Sequence, residues 1–256
     1  MLVLLPPSET KRDGGSGGPL RVAAFAYPAL NDKRIMLVRA LVDLAQDTDA
    51  SVAALKLGRT QLAEIDRNKV VASSPTMPAI DRYTGVLYDA LDAESLSIAD
   101  REFAGRHLCV HSALFGPIGA LDLVPAYRFS HDSRLPAVAL KKHWSASASE
   151  ALAQTSGLVL DLRSEAYVAL GPVPKRPGTY FLRVVTEAAN GQKRALNHFN
   201  KKSKGEFTRA LVKSHRDFAT VDELLSWAPS AGFTLQHGAP GELELVVEQV
   251  VAAKRA

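Results

Sequence analysis

HLCVHSALFGPIGALDLVPAYR, residues 107–128, is the stretch on which the fold turns. An apolar run enters Phe115-Gly116-Pro117-Ile118-Gly119. An acid, Asp122, follows, and then an aromatic–basic pair, Tyr127-Arg128. Two glycines around Pro-Ile read as a tight turn with few side chains, set between two expected helices. Such a turn leaves backbone N–H groups open, and those groups suit phosphate oxygens. The same pattern also serves as a plain connector between helices. Both readings stay open on this segment alone.

Outward from that stretch the chain alternates between strand and helix patterns. Residues 2–5 (LVLL) read as a buried strand, 6–11 as the loop leaving it, and 12–19 as a mobile glycine-rich loop. Helical spacing covers 34–45, 51–57 and 79–91, the last with Gly85 inside it. Ser97 is an expected N-cap for a helix running through residues 103–107. Residues 137–153 read as a helix carrying Trp144, and 158–162 as a central strand followed by a polar loop. Residues 178–186 and 193–199 flank Asn190-Gly191, a strong hairpin signal. Helices over 205–215 and 221–227 and a strand over 242–251 complete the order. It predicts an α/β (α+β) fold, one domain over 1–256, with a mixed sheet surrounded by helices.

Composition narrows the function classes. The chain has 256 residues, 46% hydrophobic, and a net charge of +4. Its isoelectric point is about 9.2, which permits a polyanionic partner without requiring one. No apolar run has the length of a membrane span. The opening residues lack a basic n-region, and Pro6-Pro7 ends the apolar start, so a cytoplasmic protein without a membrane partner is expected. The single cysteine, Cys109, sits in apolar surroundings and reads as a buried thiol. No resolving cysteine stands beside it for peroxide sensing. The histidines and Cys109 show no ligand spacing, so no metal and no cofactor are expected.

Six segments occur together in order: LLPPSETK at 4–11, RYTGVLYDAL at 82–91, HSALFGPIGALDLVPAYR at 111–128, LKKHW at 140–144, LRSEAY at 162–167 and FNKKSKGEFTRAL at 199–211. In that order they resemble the YaaA family, the DUF328 or UPF0246 proteins, over nearly the whole chain. The resemblance implies a cytoplasmic peroxide-stress protein that binds duplex DNA. It also implies a YaaA-like fold with a basic cleft and a helix-hairpin-helix element, here assigned to the turn at Gly116 and Gly119. The family's Arg-Pro-Leu-Asp stands here as Gly119-Ala120-Leu121-Asp122, one cation fewer.

Candidate residues follow from both readings. Lys201, Lys202 and Lys204 form the densest basic cluster, expected just before an amphipathic helix, where phosphate is attracted. With Gly116, Gly119 and Arg128 they make up the expected DNA contact. Ser8, Thr10 and Lys11 follow the first strand, where α/β proteins form a crevice, and lack the P-loop glycine pattern. Ser112, Asp122, Tyr127, Ser164 and Tyr167 are further cleft candidates. His111, Ser112 and Asp122 contain the residue types of a hydrolase triad, but no nucleophile-elbow sequence accompanies them. Two functions emerge: a DNA-binding protein that limits oxidative damage, or an enzyme with a small nucleotide-like ligand in a polar cleft. A closed pocket between 8–11 and 112–128 favours the enzyme, and an open basic groove favours the DNA binder.

Overall fold

β1 (Leu2–Leu5) is apolar at all four positions and buried at all four, as a strand covered on both faces must be. A computed structural model of the chain describes residues 1–187, 193–195 and 199–247. After β1 come helices α1 (Asn31–Leu44), α2 (Thr48–Leu55) and α3 (Ala63–Lys69), then strand β2 (Met77–Pro78). Helices α4 (Ala79–Arg82), α5 (Val86–Leu91) and α6 (Ile98–His107) lead to strands β3 (Leu108–Ser112), β4 (Gly116–Gly119) and β5 (Leu123–Val124). Helix α7 (Leu140–Ala153), strand β6 (Val159–Asp161), helix α8 (Glu165–Val168) and strands β7 (Thr179–Glu187) and β8 (Lys193–Ala195) follow. Helices α9 (Phe199–Ser214) and α10 (Val221–Trp227) and strands β9 (Thr234–His237) and β10 (Glu242–Val247) close the described chain.

The main sheet has the order β4-β3-β1-β6-β7-β10-β9, with β8 paired to β7. Strands β3, β1, β6, β7 and β10 are mutually parallel, and β4 and β9 lie antiparallel at the two edges. β2 and β5 form a separate antiparallel pair. The side-chain alternation of β1 divides the core. Val3 and Leu5 join a large cluster with Phe103 of α6 and Phe207 of α9, whereas Leu2 and Leu4 meet Cys109, Val159 and Leu152 of α7. Helices therefore cover both faces, and the expected α/β fold with a mixed sheet is the one observed.

Residues 107–128 depart from expectation. The turn at Gly116 does not join two helices. It joins β3 and β4, which pair antiparallel with Ser112 opposite Gly116. Residues 108–112 pair in parallel with β1, so their apolar run is a doubly buried strand, a pattern that periodicity alone cannot separate from a buried helix. The turn is closed rather than open. The Leu114 and Phe115 N–H groups donate to Ser112 Oγ (3.1 and 3.0 Å), and the Gly119 N–H donates to Asp122 Oδ2 (2.8 Å). The fully buried Arg34 donates to the Phe115 and Pro117 carbonyls (2.9 and 2.6 Å).

Other local differences have equally local causes. The helix expected over 79–91 breaks at residues 83–85, where Gly85 takes φ +96° and divides α4 from α5. The glycine-rich loop is tied down. Arg82 donates to the carbonyls of Arg12, Gly14 (2.8 Å) and Pro75 (3.0 Å), and Gly17 exchanges hydrogen bonds with Thr76. α9 begins at Phe199, so the basic cluster lies inside the helix rather than before it. The Ser97 cap is present, with Asp100 bonding back to the Ser97 N–H. The Asn190-Gly191 turn and the end of the last predicted strand lie outside the described residues.

Candidate functional site

β1, β3 and β6 run parallel, so the segments after Leu5, Ser112 and Asp161 leave the sheet at one edge. In an open α/β sheet that edge forms the ligand crevice. The first segment carries Lys11, which is 8% exposed. Its main chain is pinned by a bridge to Tyr83, with flanking bonds from Arg12 N to Arg82 O (2.9 Å) and from Thr84 N to Thr10 O (3.3 Å). Nζ donates to the carbonyls of Ser8 (3.0 Å) and Glu9 (3.2 Å). It also lies 4.0 Å from the Tyr127 ring centre and 5.4 Å from that of Tyr83. Burial, then the Arg128 charge, lowers the Lys11 pKa to about 7. Arg67 pushes the same way, against Glu64 and Glu9.

A buried hydroxyl chain lies under this lysine. Ser112 Oγ is 2.7 Å from the Tyr127 hydroxyl, which is 2.7 Å from the Tyr83 hydroxyl. Ser112 Oγ already accepts two backbone N–H groups, so its own hydrogen goes to Tyr127, and that of Tyr127 goes to Tyr83. Burial raises the Tyr83 pKa to about 12, which keeps the phenol protonated. Nearer solvent, the Thr84 hydroxyl donates to Thr10 Oγ1 (2.9 Å), and Ser8 Oγ lies 3.3 Å from it.

Arg128 reaches this edge because α3 holds it. Asn68 accepts the Arg128 N–H (2.8 Å) and donates to the Arg128 carbonyl (2.9 Å). The Arg128 guanidinium then meets exposed Glu9 at 2.7 Å. One residue before Asn68, Arg67 pairs with Glu64 (2.8 Å) and Asp13 (2.5 Å). Three cations from three segments thus gather around one edge. Tyr167 is buried nearby, its ring edge-on to His131 at 5.2 Å, and Ser164 is exposed at the start of α8.

The profile of the peroxide stress protein YaaA family matches residues 1–238. The chain belongs to that family. It is 39% identical to a UPF0246 protein of Corynebacterium efficiens over 254 residues, covering 96% of this chain and 100% of the relative. A UPF0246 protein of Corynebacterium glutamicum (strain R) is 40% identical over 242 residues, covering 92% and 95%. One from Streptomyces coelicolor is 36% identical over 264 residues, covering 98% and 100%.

In this YaaA-family chain the remaining candidates lie elsewhere. Asp122 accepts the N–H groups of Gly119 (2.8 Å) and Ala26 (2.9 Å) and braces the β3–β4 hairpin. Gly116 is buried under the Trp144 ring. Lys201 and Lys202 are exposed on α9, and Lys202 pairs with Glu206 at 3.5 Å. Lys204 is buried and donates to the Leu162 carbonyl (3.0 Å); burial lowers its pKa to about 8. His111 and Ser112 are adjacent on β3 and face opposite ways, and Asp122 is committed to the hairpin, so no triad forms. His111 instead accepts from buried Arg163 (2.6 Å), which is also paired with Asp161. Burial, then Arg163, holds the imidazole well below its usual pKa and therefore neutral.

Peroxide chemistry does not fall to Cys109. Burial raises its thiol pKa to about 12, and the thiolate is the reactive form. Among the described residues no cluster of His, Cys, Asp and Glu is arranged to hold a metal, and no helix is long and apolar enough to cross a membrane. Arg67 and Asn68 escape sequence reading because α3 is short and sits in a stretch with no assigned pattern. The i,i+3 pairs Glu64–Arg67 and Asp66–Lys69 were the available signal.

Proposed function

We propose that this YaaA-family protein acts in the cytoplasm under peroxide stress by binding duplex DNA through its phosphate backbone. The convergence of Arg67 and Arg128 beside Lys11 at the carboxyl edge of the sheet carries the reading. Their present partners Glu9 and Asp13 are exposed carboxylates. A phosphate offers the same fork to a guanidinium with more charge, and so displaces them.

Helix α3 and the connection before it serve this contact. That connection contains exposed Lys56, Gly58 and Arg59, and α3 supplies Arg67 and clamps Arg128 through Asn68. Lys201 and Lys202 on α9 are peripheral phosphate contacts. Phosphate contacts position a protein without reading sequence, so little sequence preference is expected.

Equilibrium titration of labelled duplexes of unrelated sequence tests this. All should bind alike, and affinity should fall by about a thousandfold or more between roughly 50 and 200 mM salt if six or more phosphates are engaged. Absence of binding at low salt contradicts the reading.

A further inference from the structure

Phosphate attraction does not explain why Lys11 is buried. A lysine that serves as a point charge works best exposed, as Lys201 and Lys202 are. Lys11 instead holds its amine against two carbonyl oxygens and two tyrosine faces, with no carboxylate in an ion pair among the described residues. The amine lies directly beneath the backbone of residues 8 and 9. The hydroxyls of Ser8, Thr10 and Thr84 line the same short segment, and Arg128 stands beside it.

We infer that Lys11 is an amine nucleophile that condenses with the aldehyde of an abasic deoxyribose in DNA. The geometry matches the parts needed. In the inferred complex the amine leaves the Ser8 and Glu9 carbonyls for the sugar carbon, the hydroxyls of Ser8, Thr10 and Thr84 take the sugar oxygens, and Arg128 exchanges Glu9 for a flanking phosphate. An amine that is desolvated and next to another cation is the activated form of lysine for carbonyl chemistry. With its pKa held at about 7, a large share of Lys11 is neutral at physiological pH.

In the step, the Nζ lone pair adds to the aldehyde carbon, and the C=O π electrons move onto oxygen. A proton passes from nitrogen to that oxygen and gives a carbinolamine. The second N–H proton then joins the leaving hydroxyl as the C–O bond breaks, so water departs and the nitrogen lone pair closes the C=N bond. Amine and aldehyde give imine and water, with no oxidant or reductant. Peroxide-derived damage strips bases from DNA and leaves such aldehydes. The substrate rests on the proposed DNA binding, but the reactivity of the amine does not.

The full chain is incubated with a duplex carrying one aldehydic abasic site and sodium cyanoborohydride, which reduces an imine to a stable secondary amine. The expected result is a covalent protein–DNA adduct mapped by mass spectrometry to Lys11. Its yield should rise from pH 6 to pH 8. A tetrahydrofuran abasic analogue, which has no aldehyde, gives none. Lys11→Arg and Lys11→Gln, each checked for folding by thermal melt, lose at least about tenfold of the adduct per bound duplex, the scale of losing an activated nucleophile's advantage. Glyoxylate, a small free aldehyde, is run alongside. Duplex binding without an adduct, or an adduct on another lysine, overturns the inference and leaves the DNA reading intact. Glyoxylate labelling of Lys11 without duplex binding overturns the DNA reading and the abasic substrate together.

Discussion

Below pH 7 Lys11 carries a buried charge that Glu64 and Glu9 offset only in part, with no ion pair to it among the described residues, and the fold bears that cost. The sign follows from the shift. The folded pKa is about 7 and the ordinary value 10.5, so between them the unfolded chain binds more protons. The penalty is complete below pH 7, shrinks as pH rises and vanishes above about 10.5. Lys11→Met should therefore be more stable than the parent at pH 6, by about 0.5–2 kcal/mol, with the advantage smaller at pH 9. Paired denaturant melts at the two pH values measure the difference, and a Met variant less stable at both would contradict it. Cys109 makes a second case. Its raised thiol pKa predicts that a maleimide labels it only after unfolding, and that peroxide leaves it unoxidised in the native protein. Oxidation of native Cys109 on the timescale of an exposed thiol would overturn the assignment.

Two elements place the cleft residues, and each can be broken separately. Asn68 satisfies both backbone polar groups of Arg128, so Asn68→Ala leaves two groups unpaired and should cost about 1–3 kcal/mol. It should also weaken duplex binding more than an equally destabilising core substitution; equal losses would make α3 merely structural. The β3–β4 turn behaves differently. Gly116 has φ +65°, and an added Cβ would lie 2.9 Å from the Trp144 ring. Gly116→Ala should destabilise by about 1–3 kcal/mol while the folded fraction binds DNA like the parent. Reduced affinity per folded molecule would return that turn to the binding surface.

The element scale also shows where sequence reading succeeds. α10 and the Ser97-capped α6 announce themselves because period and capping chemistry agree locally, α1 by period alone, and β1 because Pro6-Pro7 bounds its apolar run. β3 and β4 do not, since a short strand buried on both faces has no alternation to detect. The gathering at the sheet edge is half legible. The sequence singles out Ser8, Thr10, Lys11, Ser112, Tyr127 and Arg128, and these lie together at one edge. The three lysines of α9 were grouped by sequence density, but the helix turns Lys204 inward and Lys201 and Lys202 outward.

Across the whole molecule, the topology explains how residues more than a hundred positions apart meet. Parallel β1, β3 and β6 deliver their following segments to one edge, and α3 closes it through Asn68. The net charge of +4 is modest, so the proposed DNA binding rests on this local gathering rather than on a uniformly basic surface. The most direct measurement is the slope of log affinity for duplex DNA against log salt, for the parent and for Arg67→Gln with Arg128→Gln. A steep negative slope in the parent, shallower by about two in the double variant with folding retained, is the predicted result. An unchanged slope and affinity would contradict the claim that this cleft holds the DNA backbone.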